Sequence, residues 1–324
     1  MSAEQNDRTS MATPAIAIIS VTWNAKKYVH KCLRSLAEDV DLAAEVIIVD
    51  NASTDGTPDL VAEEFPGFRL FRNTENLGFA KANNAGIRAS RGDYVCLINS
   101  DVVVPRGCLR RLLEYMQANP DIGLLGPQMV GPDGAVRRSS MRLPSFRNSI
   151  GRALAADRIP LLSRAFNGQM MADFNHDQTA DVEVLNGWFW MVRREALEQV
   201  GLLDERFFIY GEDLDWCKRF RQSGWRVVFF ADAKALHYGG ASSSAAPVRF
   251  YIEMQRANLQ YWRKHHGLLE RSLNCTVVCV QHALRLVCYS AASLLKVGNL
   301  AEAAAKKRRS WAFLKWMAGL EVKA

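Results

Sequence analysis

The sequence predicts an α/β fold: a mostly parallel central sheet flanked by helices, followed by a helical C-terminal extension. Three observations carry this. Apolar strand-like runs alternate with amphipathic helical runs from Ile16 to Gln117, two of those strands end in a lone aspartate, and beyond Ser244 the pattern is helical. Strict alternation of this kind puts helices on both faces of a parallel sheet.

Ile16 to Val21 is an apolar strand, and Lys27 to Ala37 a helix whose Val29, Leu33 and Leu36 share one face. Val46 to Asp50 has the continuous apolar character of a buried parallel strand and ends in a carboxylate. The turn-rich Asn51 to Gly56 follows, and Pro58 stands where the next helix starts. Phe68 to Phe71 reads as a short strand, Lys81 to Ala89 as a helix and Tyr94 to Ile98 as a strand. Gly107 to Gln117 is a helix that turns Leu109, Leu112, Leu113 and Met116 inward. Between Gly126 and Ala180, Gly131, Pro132, Gly134, Pro144 and Pro160 break the pattern and predict loops and short helices. Glu183 to Arg193 regains strand character, with Trp188, Trp190 and Val192 on one side and Phe189 and Met191 on the other. Asp213 to Gln222 is a helix closed by Gly224, and Trp225 to Phe230 is a last strand. The expected divisions are a disordered tail over 1–13, a main domain over 14–244 and a helical region over 245–324.

With 324 residues, 49% of them hydrophobic, the chain can bury a full core. Its formal charge of +7 suits anionic partners such as nucleotides or lipid head groups. The positive residues gather late, at Lys306, Lys307, Arg308 and Arg309, while the middle mixes both signs, so no nucleic-acid partner is expected. Seven cysteines without a Cys-x-x-Cys pair read as buried thiols of a reducing compartment. The first dozen residues, with Glu4, Asp7 and no apolar run, do not form a secretory signal, so the expected location is cytoplasmic; peripheral contact with the inner face of the cell membrane is expected from the late basic and aromatic residues.

Ligands of open α/β sheets bind beyond the carboxyl ends of the strands, which makes Asp50 and Asp101 the first candidates. A Mg²⁺-type ion needs only one or two protein carboxylates when substrate phosphates supply further oxygens, so Asp101 alone can face a metal-bound diphosphate; the competing reading makes it a strand-end turn residue. Asp50 would accept hydrogen bonds from a base or ribose; the competing reading makes it a cap of the Asn51 to Gly56 turn. Asn76, Gly78 and Asn83 offer amides and a close backbone approach to a sugar, base or phosphate, or else serve as helix caps. No Walker-type run and no Gly-x-Gly-x-x-Gly occurs. Tyr210 to Arg219 places Glu212, Asp213 and Asp215 at a helix start, where the dipole favours carboxylates in any case. Asp215 stands four before Arg219, the spacing of a surface ion pair worth about 0.2–0.5 kcal/mol. Asp213 lacks such a partner and is the candidate general base, with Glu212 as its rival. His237 follows a strand and precedes a glycine turn, where an imidazole either completes a metal shell around Asp101 or is a satisfied structural residue. Trp188 and Trp190 offer rings to a sugar, one of them being expected in the core.

Taken in order, Val49 to Gly56, Asn76 to Phe79, Asn99 to Asp101, Phe207 to Asp215 and His237 to Gly240 resemble the family 2 glycosyltransferases of GT-A fold, most of all their bacterial rhamnosyltransferase-like branch. The resemblance spans residues 15–245. It implies an inverting single displacement from a nucleotide-diphospho-sugar, with dTDP-rhamnose favoured, to a glycan or lipid-linked acceptor in polysaccharide and cell-wall synthesis. It also implies a divalent cation, Mg²⁺ or Mn²⁺. On this chain it assigns nucleotide recognition to Asp50 and the Asn76 to Asn83 segment, metal and diphosphate to Asp101, the base to Asp213 and a supporting metal contact to His237. Asn99 and Ser100 join the substrate-binding residues. Many relatives carry Asp-x-Asp where this chain has Asn99, Ser100 and Asp101, a substitution common in that branch. Two other classes fit the residues: a non-catalytic nucleotide-sugar-binding protein, and a nucleotidyltransferase that would release pyrophosphate.

Leu273 to Val297 is apolar enough to raise a membrane span, but Gln281, His282, Arg285 and Lys296 interrupt it. A helix packed on the main domain or lying at an interface is the expectation. Trp311, Phe313, Leu314 and Trp316 among the late basic residues suit an anionic lipid surface, and a solvated basic helix or a homodimer contact competes with that.

Overall fold

A computed structural model describes residues 15–38, 44–154, 169, 171, 174–239, 246–297 and 299–321. The tail expected over 1–13 lies outside the described residues. The chain runs β1 (Ile16–Thr22), α1 (Lys26–Glu38), β2 (Ala44–Asp50), α2 (Thr57–Glu64), β3 (Arg69–Arg72), α3 (Phe79–Ala89), β4 (Tyr94–Ile98), β5 (Val102–Val103), α4 (Cys108–Ala118) and β6 (Ile122–Val130). It continues through β7 (Val136–Arg137), β8 (Ser140–Met141), α5 (Phe146–Ala153), β9 (Ala180–Asp181), β10 (Val184–Leu185), β11 (Phe189–Arg193) and α6 (Arg194–Val200). After α7 (Glu212–Gln222) and β12 (Arg226–His237) come three helices, α8 (Pro247–His265), α9 (Leu268–Leu295) and α10 (Leu300–Met317).

The main sheet has the order β3-β2-β1-β4-β11-β6-β12-β5, with β7 beside β6 and β9 beside β12. Pairings β2–β3, β1–β2, β1–β4 and β6–β12 are parallel, while β11 runs antiparallel between β4 and β6. One face of the sheet buries Val29, Cys32, Leu33 and Leu36 of α1 with Leu109, Leu112 and Met116 of α4, the apolar stripes read from the sequence. The other face packs against α3, α6, α7 and α8, around Trp190, Trp216, Tyr261 and Trp262. A layer of helices on each side follows from strands that are apolar on both faces.

Two local readings need correction. The stretch from Gly126 was expected to open a loop region, yet Gly126 and Pro127 lie inside the nine-residue strand β6, buried in the sheet. Proline offers no ladder N–H, and the β12 register shifts between Phe230, opposite Pro127, and Lys234, opposite Gln128. Glu183 to Arg193 is two strands rather than one. A turn at Asn186 and Gly187 separates β10, which pairs with β8 in a small two-stranded sheet, from β11 in the main sheet. That turn removes Trp188 from the alternation, and it packs with Phe189 and Met191 on the face opposite Trp190.

Candidate active site

The carboxyl ends of β1, β2 and β4 open onto a cavity of about 300 Å³. Val21 and Trp23 come from the end of β1, Asn51 from β2, and Asn99, Ser100 and Asp101 from β4. Asn76, Gly78 and Phe79 form a wall at the start of α3, and Phe208, Ile209 and Tyr210 a second wall just ahead of α7. His237 closes the end of β12, and Arg249 and Phe250 reach in from α8. A cleft outside the carboxyl ends of parallel strands is where such sheets bind ligands.

Sheet register joins Asp101 to a histidine 136 positions away. The short β5 pairs antiparallel with the end of β12, so His237 stands opposite Val102. Tyr238 donates its backbone N–H to the Asp101 carbonyl at 3.0 Å, and Asn99 donates its own to the Trp188 carbonyl at 3.0 Å. His237 Nε2 lies 3.1 Å from Asp101 Oδ1, and the Trp188 ring stacks on the imidazole at 5.5 Å with planes 16° apart. Among the described residues no group of three or more His, Cys, Asp or Glu side chains could hold a metal ion. One carboxylate and one imidazole are donors of the kind that divalent cations accept.

The loop after β2 is organised by Asn51. Its side-chain NH₂ donates to Asn76 Oδ1 at 2.9 Å and to the Gly78 carbonyl at 3.1 Å, while its Oδ1 accepts from Asn73 Nδ2 and the Leu77 N–H. Asp50 is buried beneath this loop: Thr22 Oγ1 donates to its Oδ1 and the Ser53 N–H to its Oδ2, both at 3.0 Å. Gly78, at φ +82°, makes the close approach foreseen for it, but toward protein. A Cβ there would stand 2.4 Å from the Phe208 carbonyl oxygen, which accepts the Phe79 N–H at 2.6 Å. That bond pins the two cleft walls together.

Helix α7 begins with the adjacent Glu212 and Asp213. Tyr210 and Gly211 ahead of it both have positive φ, 68° and 80°, a costly conformation for a bulky residue such as tyrosine. Glu212 is buried, and its Oε2 has no hydrogen-bond partner among the described residues. Burial first, and then the Asp213 charge, push the Glu212 carboxyl well above the usual range. Burial also lifts Asp213 to about 6, although hydrogen bonds from backbone N–H groups including that of Leu214 pull it down. Glu212 Oε1 lies 3.6 Å from where a Gly187 Cβ would stand, so the pair sits beside the turn that carries Trp188 against His237.

The sequence matches the Glycosyl transferase family 2 profile over residues 17–201. It is 30% identical over 271 residues to the N-acetylglucosaminyl-diphospho-decaprenol L-rhamnosyltransferase of Mycobacterium tuberculosis, covering 79% of this chain and 86% of that one. The chain belongs to glycosyltransferase family 2. Its fold is similar to the mannosyltransferase PcManGT of Pyrobaculum calidifontis, solved with GDP-Man and Mn²⁺: TM-score 0.54, 19% identity, covering 95% of this chain and 84% of that one. Staphylococcus aureus TarS is a further neighbour, with TM-score 0.51, 17% identity and coverage of 92% of this chain and 47% of its own.

In this family 2 glycosyltransferase, Asn76, Gly78, Asn99, Ser100, Asp101 and His237 line the cavity. Asp50, Asn83, Trp188, Trp190, Glu212 and Asp213 do not line it. Asn83 is buried within α3, donating to the Phe79 carbonyl at 2.9 Å. Trp190 is fully buried, donates Nε1–H to the Leu185 carbonyl at 3.2 Å and presents no ring to a ligand. Trp188 backs His237 instead of facing the cleft. The aromatic residues that do line it are Trp23, Phe79, Phe208, Tyr210 and Phe250. Trp23 follows a strand end, the same signal that singled out Asp50 and Asp101, whereas nothing local marks Arg249 or Phe250.

Asp215 is not the half of a surface ion pair that its spacing suggested. Its side chain is fully buried, with Arg219 Nε at 2.9 Å, Lys264 Nζ at 2.6 Å and His265 Nε2 at 2.7 Å. Burial alone would raise this carboxyl, but hydrogen bonds from His265 and Lys264 and the Arg219 charge hold it below the usual range. It is a structural clamp between α7 and α8.

Proposed function

We propose that this glycosyltransferase moves rhamnose from dTDP-rhamnose, with inversion at the anomeric carbon, to a hydroxyl of a lipid-linked glycan. The observation that carries the sugar-nucleotide reading is the Asp101–His237 pair facing a ring-walled cleft at the strand ends. The choice of rhamnose and of a lipid-linked acceptor rests on the similarity to the mycobacterial rhamnosyltransferase.

Asp101 and His237 would hold the divalent cation, which when bound offsets charge growing on the departing diphosphate. Arg249, an exposed guanidinium in the cleft wall, supplies a protein cation facing the same space. Trp23 and Phe250, with ring centroids 6.4 Å apart, offer apolar faces to the base or sugar. Two adjacent carboxylates in a poorly solvated place cannot both ionise cheaply, and their environments divide the labour. Glu212, the more deeply buried of the two, is the one pushed further toward its protonated form. Asp213, lifted to about 6, follows the Phe208 to Tyr210 wall in the chain without itself lining the cavity, and is assigned as the base for the attacking acceptor hydroxyl on the family resemblance.

The test is a donor panel in which nucleoside diphosphate release and product mass are followed with Mg²⁺, with Mn²⁺ and with chelator. Release of dTDP and a mass gain of one deoxyhexose on the acceptor are expected; transfer of another sugar in its place would overturn the rhamnose assignment. Asp213→Asn should lower transfer by about 10²–10⁴-fold while donor affinity stays within a factor of about two. Full turnover by that variant would remove Asp213 as the base.

A further inference from the structure

Helix α9 is built inside out. Its three buried residues are polar, namely Asn274, Gln281 and His282, and His282 sits between Tyr251 Oη of α8 at 3.1 Å and Ser310 Oγ of α10 at 3.2 Å. The outward positions are apolar at helical spacing: Leu269, Leu273, Val280, Leu284, Val287 and Leu294, with Leu269, Val287 and Leu294 exposed by 72%, 67% and 83%. At 1.5 Å per residue this 28-residue helix carries the stripe over about 40 Å. The glutamine and histidine that interrupt the run in sequence thus form its inner seam, and the outer stripe is broken only by Thr276, whose hydroxyl is satisfied by the Ser272 carbonyl at 3.1 Å. Monomeric soluble proteins rarely expose an apolar surface of this extent.

The charge says what covers it. Residues 246–324 hold thirteen Lys and Arg against four Asp and Glu, a net +9, whereas the whole chain is +7, so the remainder is slightly negative. Bringing two such basic segments together in a dimer sets like charges against each other, while an anionic surface satisfies them. Trp311 of α10 is half-exposed with Lys315 Nζ 5.4 Å from its ring centre, an amphipathic pairing suited to the head-group zone.

We propose that α9 and α10 dock the enzyme on an anionic bilayer, α9 lying in the plane of the interface with its outer stripe at the boundary of head groups and acyl chains. The helix passes the length and hydropathy requirements for crossing a membrane. Its polar seam, however, is packed on protein, so lipid meets one side only and the helix lies on the bilayer instead of spanning it.

The full chain is mixed with phosphatidylcholine vesicles, with and without phosphatidylglycerol, and floated on a density gradient. Flotation on the phosphatidylglycerol vesicles is expected, weaker on phosphatidylcholine alone and in high salt. The Val280→Asp/Val287→Asp variant, changed only at exposed sites, should keep its circular dichroism spectrum and melting temperature and lose about tenfold or more in vesicle partitioning. Absence of flotation, or equal flotation by the variant, would overturn the proposal. So would a lipid-free dimer in sedimentation velocity that the variant splits while neither form binds vesicles. Neither donor nor acceptor is present, so this failure would leave the sugar-transfer reading standing.

Discussion

At the scale of single residues, the chemistry turns on carboxylates whose surroundings differ more than their sequences do. Glu212 and Asp213 are neighbours at one helix start, yet one is buried with an oxygen unpartnered among the described residues and the other is held by backbone N–H groups. On the proposed assignment of Asp213 as the base, kcat should fall about tenfold per pH unit below about 6 and level off above it, a limb that disappears in Asp213→Asn. A pH-rate profile checks this, and a flat profile between pH 5 and 7 would contradict it. Gly78 is held by geometry: φ is +82° and the Phe208 carbonyl occupies the place of a side chain. Gly78→Ala should therefore cost more than about 1 kcal/mol in denaturant unfolding and weaken donor binding by separating the cleft walls. Gly78 was legible as a close-approach glycine, but what approaches it was not, because Phe208 lies 130 positions away.

At the scale of elements, short-range patterns mark α1, α3, α4 and α7 but give no sign of α6 (Arg194–Val200) or of what surrounds each helix. The α1 and α4 stripes depend only on the 3.6-residue period and appear as read. Strand β6 escaped because Gly126 and Pro127 are poor strand residues that a register shift in a neighbouring strand accommodates. The burial of Asp215 is hidden for a similar reason: its partner within α7 is visible in sequence, while Lys264 and His265 arrive from α8. Removing this carboxylate leaves the surrounding cations uncompensated, so Asp215→Asn should destabilise the protein by about 3 kcal/mol, at the lower end for a broken buried pair because Arg219 and Lys264 retain some contact with water. The sign with pH follows from the lowered carboxyl. Its stabilisation is present above the usual aspartate value of about 3.9 and is lost as pH falls through the lower folded value. Melting curves across the acid range should accordingly show a shallower acid dependence in the variant than in the wild type.

At the scale of the whole molecule, the first helix of the region expected over 245–324 packs into the core of the main sheet. Ala257, Tyr261 and Trp262 of α8 are buried in the same cluster as Ile19 and Val49 of the sheet, and Arg249 and Phe250 from its first turns complete the cleft. Trp262→Ala should cost about 3–5 kcal/mol, read as a shift in denaturant midpoint, which a helix merely appended to the domain would not produce. The sequence alone determined the alternation of strand and helix, the strand-end aspartates, the family resemblance and the basic, apolar tail. All of these are local periods or ordered short motifs that survive without knowledge of contacts. Tertiary structure alone decided that His237 meets Asp101, that Trp23 and not Trp190 faces the cleft, that Asp215 is buried, and that α9 turns its polar side inward. Each of these depends on sheet register or on packing between distant segments, and a one-residue shift in register sends a side chain to the opposite face.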